Sequence, residues 1–226
     1  MRQRLCQVGL VILLACAKEL PAQNTYVVVF GGGSFFRAER SFVLHDAAFQ
    51  SEIRKGGRLG LRAASYITDH LAFEGGYSFG HHDLRLAEAP VSNHRTFDTV
   101  LHQFGAALLY NFGPFDNGLQ PFVVVGLGLS RFSPTDQAKV RALSTKFLNG
   151  PAQLGASNLF GFGLGGGVEA KLSRRLGLRL DMRDHITGTP RLGLAQRSSG
   201  SGEAYYPIAG TIHDIEASIG VVFYLR

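Results

Sequence analysis

The sequence has no tryptophan, only two cysteines, and no apolar run long enough for a membrane-spanning helix. Because Cys6 and Cys16 both lie near the N-terminus, a chain that loses this segment keeps no thiol for a disulfide or for nucleophilic chemistry. Lysine and arginine exceed aspartate and glutamate by 6, but they are scattered along the chain. This scatter argues against a nucleic-acid interface, which gathers its basic residues in one patch.

The N-terminus has the organisation of a secretory signal peptide. Arg2 and Arg4 give it a positive start, and an apolar run follows from Val8 to Ala17. This run is far shorter than the roughly 20 residues of a transmembrane helix, so it predicts a cleaved leader. Small residues predict cleavage after Ala17 or after Ala22.

Cleavage leaves residues 23–226, which have the length of one domain. The segment 13–16 also resembles a lipobox, so lipidation at Cys16 stays open as an alternative. Loss of residues 1–22 removes three basic and one acidic residue, and the net charge falls from +6 to +4. This mild excess suits anionic lipid head groups as a partner.

Eight later segments have the residue pattern of β-strands, with apolar side chains at alternate positions or β-branched and aromatic residues throughout. Each is close to the length of about 9–11 residues that a tilted strand needs to cross a bilayer. A brief helical pattern occurs at residues 136–148, within a loop. The predicted strands are 25–36, 58–67, 71–81, 98–112, 120–132, 158–172, 176–186 and 213–226.

Short and long connections alternate between these strands. Residues 68–70, 113–119 and 173–175 make the short connections, and the other four are polar and about 15–26 residues long. This alternation puts every short connection at one end. Outer-membrane barrels have this arrangement, with tight periplasmic turns and long outer loops. A soluble barrel of the lipocalin type does not need it.

The last strand alternates strictly, since Ile215 and every second residue after it to Leu225 is apolar. Ser218, Gly220, Phe223 and Leu225 resemble the closing-strand signal that the assembly machinery reads in bacterial outer-membrane β-barrels. The sequence departs from that signal in having leucine at 225, where an aromatic residue is usual, and Arg226 after it. Over nearly all of residues 23–226, the chain resembles the OmpA-type family of eight-stranded outer-membrane barrels.

The resemblance implies an all-β fold: a closed, eight-stranded, antiparallel, up-and-down transmembrane β-barrel with short periplasmic turns and long outer loops. It places the protein in the outer membrane of a Gram-negative bacterium, exported by its signal peptide. The expected partners are outer-membrane lipid, lipopolysaccharide and the assembly machinery, with no nucleic acid, and the expected state is a monomer. Family members act as structural wall components, adhesins or surface-interaction proteins.

If the apolar face of each strand meets lipid, the opposite face lines the lumen. That face carries charges of both signs and many glycines, which suits a narrow interior filled by side chains. Aromatic residues near strand ends are expected to form an interfacial girdle: Phe36, Tyr66, Tyr110, Phe112, Phe132 and Phe223. The polar lumen residues are Arg62, Glu74, Gln103, Glu169, Arg179, Asp181, Arg183 and Glu216.

Two cross-strand ion pairs follow from the turns. A hairpin centred on Thr68 sets Arg62 opposite Glu74, and one centred on Arg174 sets Glu169 opposite Arg179. The sequence therefore predicts a buried network that plugs the lumen, and loss of one partner is expected to cost about 3–5 kcal/mol. Its predicted members are Arg62, Glu74, Glu169, Arg179, Asp181 and Glu216.

Other signals lead to weaker hypotheses. The glycine strings 31–33 and 161–167 open no helix and precede no Lys-Ser or Lys-Thr pair, so they predict close packing rather than a phosphate loop. Adjacent histidines on a strand point to opposite faces, so no metal or cofactor site is predicted. The cations expected in the outer loops, with lipopolysaccharide phosphates as their possible ligand, are Lys139, Arg141, Lys146, Arg191 and Arg197.

Some small outer-membrane barrels modify lipids with a serine and a histidine. The candidate serines are Ser78 and Ser130, and the candidate histidines are His81, His82 and His185. The sequence lacks a His-x-Ser pair, which would place the base and the nucleophile together on one strand face. The leading hypothesis is therefore a non-enzymatic structural or surface-interaction barrel with a plugged lumen. A lipid acyl hydrolase or transferase and a narrow solute channel remain the alternatives.

Overall fold

The computed structural model describes residues 25–37, 40–44, 47–89, 94–113, 118–143, 146–147, 150–151, 153–197 and 209–225. The predicted signal peptide, its cleavage sites and Cys16 lie outside these residues. Across this part of the chain, no helix has the length and apolar character needed to cross a bilayer.

Twelve strands and one helix are present in the described residues. The elements are β1 (Thr25–Arg37), β2 (Arg40–Leu44), β3 (Ala47–Ile53), β4 (Gly56–Tyr66), β5 (Leu71–Ala89), β6 (His94–Asn111), β7 (Leu119–Pro134), α1 (Asp136–Leu143), β8 (Lys146–Phe147), β9 (Gly150–Pro151), β10 (Ser157–Lys171), β11 (Leu176–Gly188) and β12 (Thr211–Leu225). The eight longest strands each pair with their neighbour along the barrel, and β1 pairs with β12 to close it. The order around the barrel is β1-β4-β5-β6-β7-β10-β11-β12, all antiparallel, as an up-and-down barrel requires.

The outer end carries structure that the sequence prediction did not contain. The β2–β3 hairpin pairs with the outer half of β5, and both β5 and β6 continue well beyond their predicted ends. The predicted helical stretch forms α1 over its first eight residues. The Thr135 hydroxyl caps this helix by accepting a hydrogen bond of 3.2 Å from the Ala138 amide.

The tight turns fix the strand register. Glu169 lies opposite Arg179 in the β10–β11 hairpin, which confirms that prediction. In the β4–β5 hairpin the prediction was wrong, because Arg62 lies opposite Gly76 and Glu74 opposite Ala64. The Thr68 hydroxyl accepts a hydrogen bond from the Leu71 amide, and the turn is centred one residue later than predicted. Moving the centre of the turn by one residue shifts the pairing of the two strands by two residues. Because side chains alternate with a period of two, every side chain keeps its predicted face.

The outer surface of the barrel is apolar across its middle, as predicted. On β7, the outward residues from Leu119 to Leu129 include Val123, Val125 and Leu127, each close to half exposed. The predicted aromatic girdle forms only in part, because Tyr110, Phe112 and Phe223 point outward whereas Tyr66 and Phe132 are buried in the lumen. Phe36 also turns inward and meets Phe132, with 6.3 Å between ring centroids. Strand parity decides these cases, because position near a strand end does not determine the face.

An apolar and aromatic cluster lies at the periplasmic end of the lumen. Tyr26, Tyr66 and Tyr224 form its centre, with ring centroids 6.0 and 6.1 Å from Tyr26. The short turns lie at the same end of the barrel. Its other members are Val28, Phe30, Ala64, Ala72, Leu109, Phe122, Val124 and Val222.

Two glycines on the lumen face of β10 have very different surroundings. A methyl group at Gly167 would overlap the carbonyl oxygen of Leu180 and the ring of Phe122. At Gly163 the nearest atom would be His185 Nδ1, at 3.5 Å. The close approach of β10 to β11 therefore requires glycine at 167 and tolerates alanine at 163.

Gly167→Ala is expected to lower the free energy of unfolding by about 1–3 kcal/mol, because the overlapping atom belongs to the backbone. Gly163→Ala is expected to be neutral or to stabilise by up to about 1 kcal/mol. Urea unfolding of the protein refolded into lipid vesicles, followed by circular dichroism, compares the two variants. Equal stability of both would contradict the close packing at Gly167.

Candidate functional site

The charged side chains of the lumen come mainly from one half of the barrel wall. On each strand they occupy alternate positions, so that successive charges share the inward face. On the opposite half, β6, β7 and β10 present glycine or alanine at many inward positions. The inward charged residues are Arg58 and Arg62 on β4, Glu74 on β5, Glu169 on β10, Arg179, Asp181 and Arg183 on β11, and Asp214 and Glu216 on β12.

Two arginines of β11 share two carboxylates at the centre of the lumen. Arg179 Nη1 lies 3.0 Å from Glu74 Oε2, and its Nε donates to Asp181 Oδ2 at 3.0 Å. Arg183 repeats the arrangement, with Nη1 2.7 Å from Glu74 Oε1 and Nε donating to Asp181 Oδ1 at 2.9 Å. This alternating square of charges is buried, since Arg179 is 1 % and Glu74 is 2 % exposed.

Arg62 joins this square to the outer part of the lumen. Its Nη1 lies 3.3 Å from Asp181 Oδ2 and its Nε 3.8 Å from Glu74 Oε1. Its Nη2 forms a short ion pair with Glu216. The guanidinium also lies over the ring of Phe30, 3.7 Å from the centroid, a cation–π contact that adds attraction in a desolvated site.

Arg58 is the centre of the outer cluster. It donates to Asp214 at 2.5 Å and to Glu216 at 2.8 Å. It also donates to Gln103 Oε1 at 2.6 Å and to Ser34 Oγ at 3.0 Å. Four strands, β1, β4, β6 and β12, are therefore tied together around one guanidinium.

The network rests on the aromatic cluster of the periplasmic end. Arg179 lies 4.1 Å above the centroid of Phe122 and donates to the Tyr26 hydroxyl at 3.2 Å. Glu169 accepts a hydrogen bond of 2.8 Å from the Tyr224 hydroxyl. Its carboxylate is 4.0 Å from Arg179, so Glu169 belongs to the edge of the network.

The structure brings five of the six predicted network members together in the lumen and places the sixth, Glu169, at the edge. Arg58 and Asp214 were not predicted, and Arg183 was placed on the lumen face without a role. The alternation of side chains along a strand could have identified Arg58 and Asp214. Arg58 lies on the same strand face as Arg62, and Asp214 lies on the same strand face as Glu216.

A cavity of about 70 Å³ lies between the network and the glycine-lined wall. It has room for a few water molecules. Arg62, Arg183 and His185 line it on the charged side, and the opposite side is formed mainly by small residues. These small residues are Gly105, Ala107, Gly126, Gly128, Gly161 and Gly163.

The structure gives little support for a serine nucleophile. Ser78 and Ser130 both face the lumen, and within the described residues neither is hydrogen-bonded to a histidine. Ser130 instead accepts a hydrogen bond of 3.1 Å from Gln103. His81 is exposed on the outer face and His82 is buried in the lumen, which confirms that adjacent histidines point to opposite sides.

The closing-strand residues divide between the two faces of β12. Ser218 and Gly220 face the lumen, and Phe223 and Leu225 face outward. The Ser218 hydroxyl donates to Glu216 Oε1 at 3.2 Å. A methyl group at Gly220 would lie 2.7 Å from Val28, so glycine at this position also has a packing role.

Comparison with protein families gives one model that matches residues 9–223, described as outer membrane protein beta-barrel domain. Comparison with curated proteins finds no match.

Three solved structures have a similar fold. Neisserial surface protein A is 18 % identical, with a TM-score of 0.53 over 89 % of this chain and 97 % of that one. OprG from Pseudomonas aeruginosa is 13 % identical, with a TM-score of 0.55 over 89 % and 96 %. The outer membrane protein AlkL, solved in lipid bilayers, is 14 % identical, with a TM-score of 0.53 over 89 % and 90 %. At these identities the likeness concerns the fold alone.

Proposed function

The chain belongs to the outer membrane protein β-barrel domain family and resides in the bacterial outer membrane, and we propose that it is a non-enzymatic barrel with a structural or surface-interaction role. We further propose that its lumen is plugged by its own side chains. The observation that carries the second proposal is the unbroken ion-pair network from Arg58 to Arg179. It joins strands on opposite sides of the lumen.

Burial of the network favours a plug. Arg58, Glu74, Arg179 and Glu216 are each no more than 2 % exposed. Each of these four charges has at least two oppositely charged partners, so movement of one side chain would leave other buried charges with less compensation. The aromatic cluster around Tyr26 then closes the periplasmic end, where an open channel would need a polar exit.

The non-enzymatic proposal rests on the absence of an assembled nucleophile in the described residues. A serine needs a general base within hydrogen-bond reach, and Ser78 and Ser130 have no such histidine partner there. The alternative is a lipid-modifying enzyme. Analysis of lipid A and phospholipid acyl chains, with and without the protein, distinguishes the two, because only the enzyme changes them.

The narrow solute channel is favoured by one observation, the cavity beside the network. In planar bilayers, the wild-type protein is expected to give no steady conductance above the empty membrane. The triple variant Glu74→Ala, Arg183→Ala, Tyr26→Ala removes two paired side chains at the cavity and one ring of the aromatic cluster at the periplasmic end, so it is expected to conduct. Lys139→Ala, in α1, is the matched surface control and is expected to stay silent. Defined conductance steps from the wild-type protein would contradict the plugged lumen and favour the solute channel.

The partners are also proposals. The assembly machinery is proposed to read Ser218, Gly220, Phe223 and Leu225 before β12 pairs with β1. Outer-membrane lipid contacts the apolar belt, and lipopolysaccharide phosphates are proposed ligands of exposed cations in the outer loops, including Arg191 and Arg197. Barrel closure leaves no free edge between β1 and β12, which favours a monomer.

A further inference from the structure

A second cluster of titratable side chains lies on the outer face of the barrel, away from the lumen. We propose that His81, Asp83 and Asp98 form a binding site for one divalent transition-metal ion of the Zn²⁺ class. Each residue offers one ligand atom, and the three atoms all lie within 4.8 Å of one another. His81 and Asp83 are on the same face of β5, and Asp98 is on the adjacent strand β6.

The two aspartates face each other directly. Asp83 and Asp98 are register partners in the β5–β6 ladder, and like charges at directly opposed positions destabilise a sheet. Within the described residues, neither carboxylate has a side-chain hydrogen bond or an ion pair. In the part of the chain that the structure describes, the two carboxylates thus lie side by side with no basic side chain paired to them. A divalent ion between them turns this repulsion into attraction.

The histidine decides the class of metal. Ca²⁺ and Mg²⁺ prefer oxygen ligands, whereas imidazole suits Zn²⁺, Cu²⁺ and Ni²⁺. Zinc ligands stand about 2.0–2.2 Å from the ion, so tetrahedral donors are about 3.4 Å apart. The donor atoms of His81, Asp83 and Asp98 already lie within 4.8 Å of one another, so rotation of the side chains on the paired strands β5 and β6 would be enough to reach this spacing.

The surroundings leave the ion accessible. His81 is exposed, and Asp83 and Asp98 are half-buried. On β4, a side chain at Gly57 would have no atom within 4 Å, which shows free space on the outer face of the neighbouring strand. Phe79, two residues before His81, is the preceding outward residue on β5 and is 42 % exposed. The site therefore lies where the apolar belt gives way to polar residues, with a fourth coordination position open to water.

Metal titration of the untagged, refolded protein tests the proposal. Equilibrium dialysis in detergent micelles is expected to show one Zn²⁺ bound per chain, and Co²⁺ substitution is expected to produce the visible absorption of an ion with protein ligands. His81→Gln and Asp98→Asn are each expected to weaken Zn²⁺ binding by at least about tenfold. An excess of Ca²⁺ is expected not to displace the metal.

His213→Gln is the matched control. His213 also points outward at the outer end, but it lies on β12, away from the proposed site. Its Nδ1 is 2.7 Å from Oδ2 of Asp184 on the neighbouring strand β11. The site is supported if His213→Gln binds Zn²⁺ with wild-type affinity. All variants must also be folded, which is checked by the faster migration of an unboiled, folded barrel on an SDS gel. Absence of Zn²⁺ binding in the wild type, equal loss in His213→Gln, or displacement by Ca²⁺ would each overturn it. None of these outcomes bears on the lumen plug.

Discussion

Replacement of Arg179 by alanine is expected to lower the free energy of unfolding of the barrel by about 3–5 kcal/mol. Arg179 is 1 % exposed and contacts Glu74, Asp181 and the Tyr26 hydroxyl. Its removal leaves the Glu74 carboxylate with less compensation in a site that water reaches poorly, and it empties the space above Phe122. The measurement is urea unfolding in lipid vesicles. A second readout is the difference in migration between the unboiled and the boiled protein on an SDS gel.

Arg174→Ala provides the matched control for this experiment. Arg174 is an exposed arginine in the turn between β10 and β11, five residues from Arg179, and its loss is expected to change stability by less than about 0.5 kcal/mol. Arg179→Lys is expected to fall between the two, because lysine keeps the charge and loses the planar set of donors. Wild-type stability in Arg179→Ala would show that the network does not hold the barrel together.

Replacement of Val125 by arginine is expected to destabilise the barrel by about 2–4 kcal/mol. Val125 is 46 % exposed and lies near the middle of the outward apolar residues of β7. A guanidinium at this depth has no water or lumen partner within reach, so the cost is that of a charge in hydrocarbon. Urea unfolding in vesicles measures this cost, and detergent micelles, which lack a fixed thickness, are expected to reduce it.

Leu119→Arg is the control on the same strand and the same face. Leu119 begins β7 at the end that carries the short turns and is 63 % exposed. Near the interface, the expected cost of arginine is only about 0–1 kcal/mol. If the two variants were equally stable, the apolar belt of β7 would not lie across the bilayer as the fold indicates.

Local pattern was enough to predict most of the architecture. Side chains alternate across a strand regardless of what the strand pairs with, so the lumen face of β11 could be read from Arg179 and Asp181 alone. The three-residue turn at 173–175 fixed the pairing of Glu169 with Arg179 in the same way. The alternation of short and long connections then left one arrangement of eight strands.

Local pattern failed where a side chain of the turn itself set the geometry. The Thr68 hydroxyl binds the Leu71 amide and moves the centre of the β4–β5 turn by one residue. Arg62 and Glu74 therefore approach diagonally, at 3.8 Å, rather than directly across the ladder. The prediction that Tyr66 and Phe132 belong to the girdle failed for another reason. Closeness to a strand end does not determine whether a side chain faces lipid or the lumen.

The sequence by itself determined the strands, their faces and the signs of charge in the lumen, because these depend on the period of two along each strand. Only the tertiary structure decided which charges on strands distant in sequence meet. Arg58 and Asp214 are 156 residues apart, and β1 lies between their strands. They touch because closure of eight tilted strands sets a fixed stagger across a lumen that is only wide enough for side chains. Asp83 and Asp98, in contrast, lie face to face on the outside because they are register partners in the β5–β6 ladder.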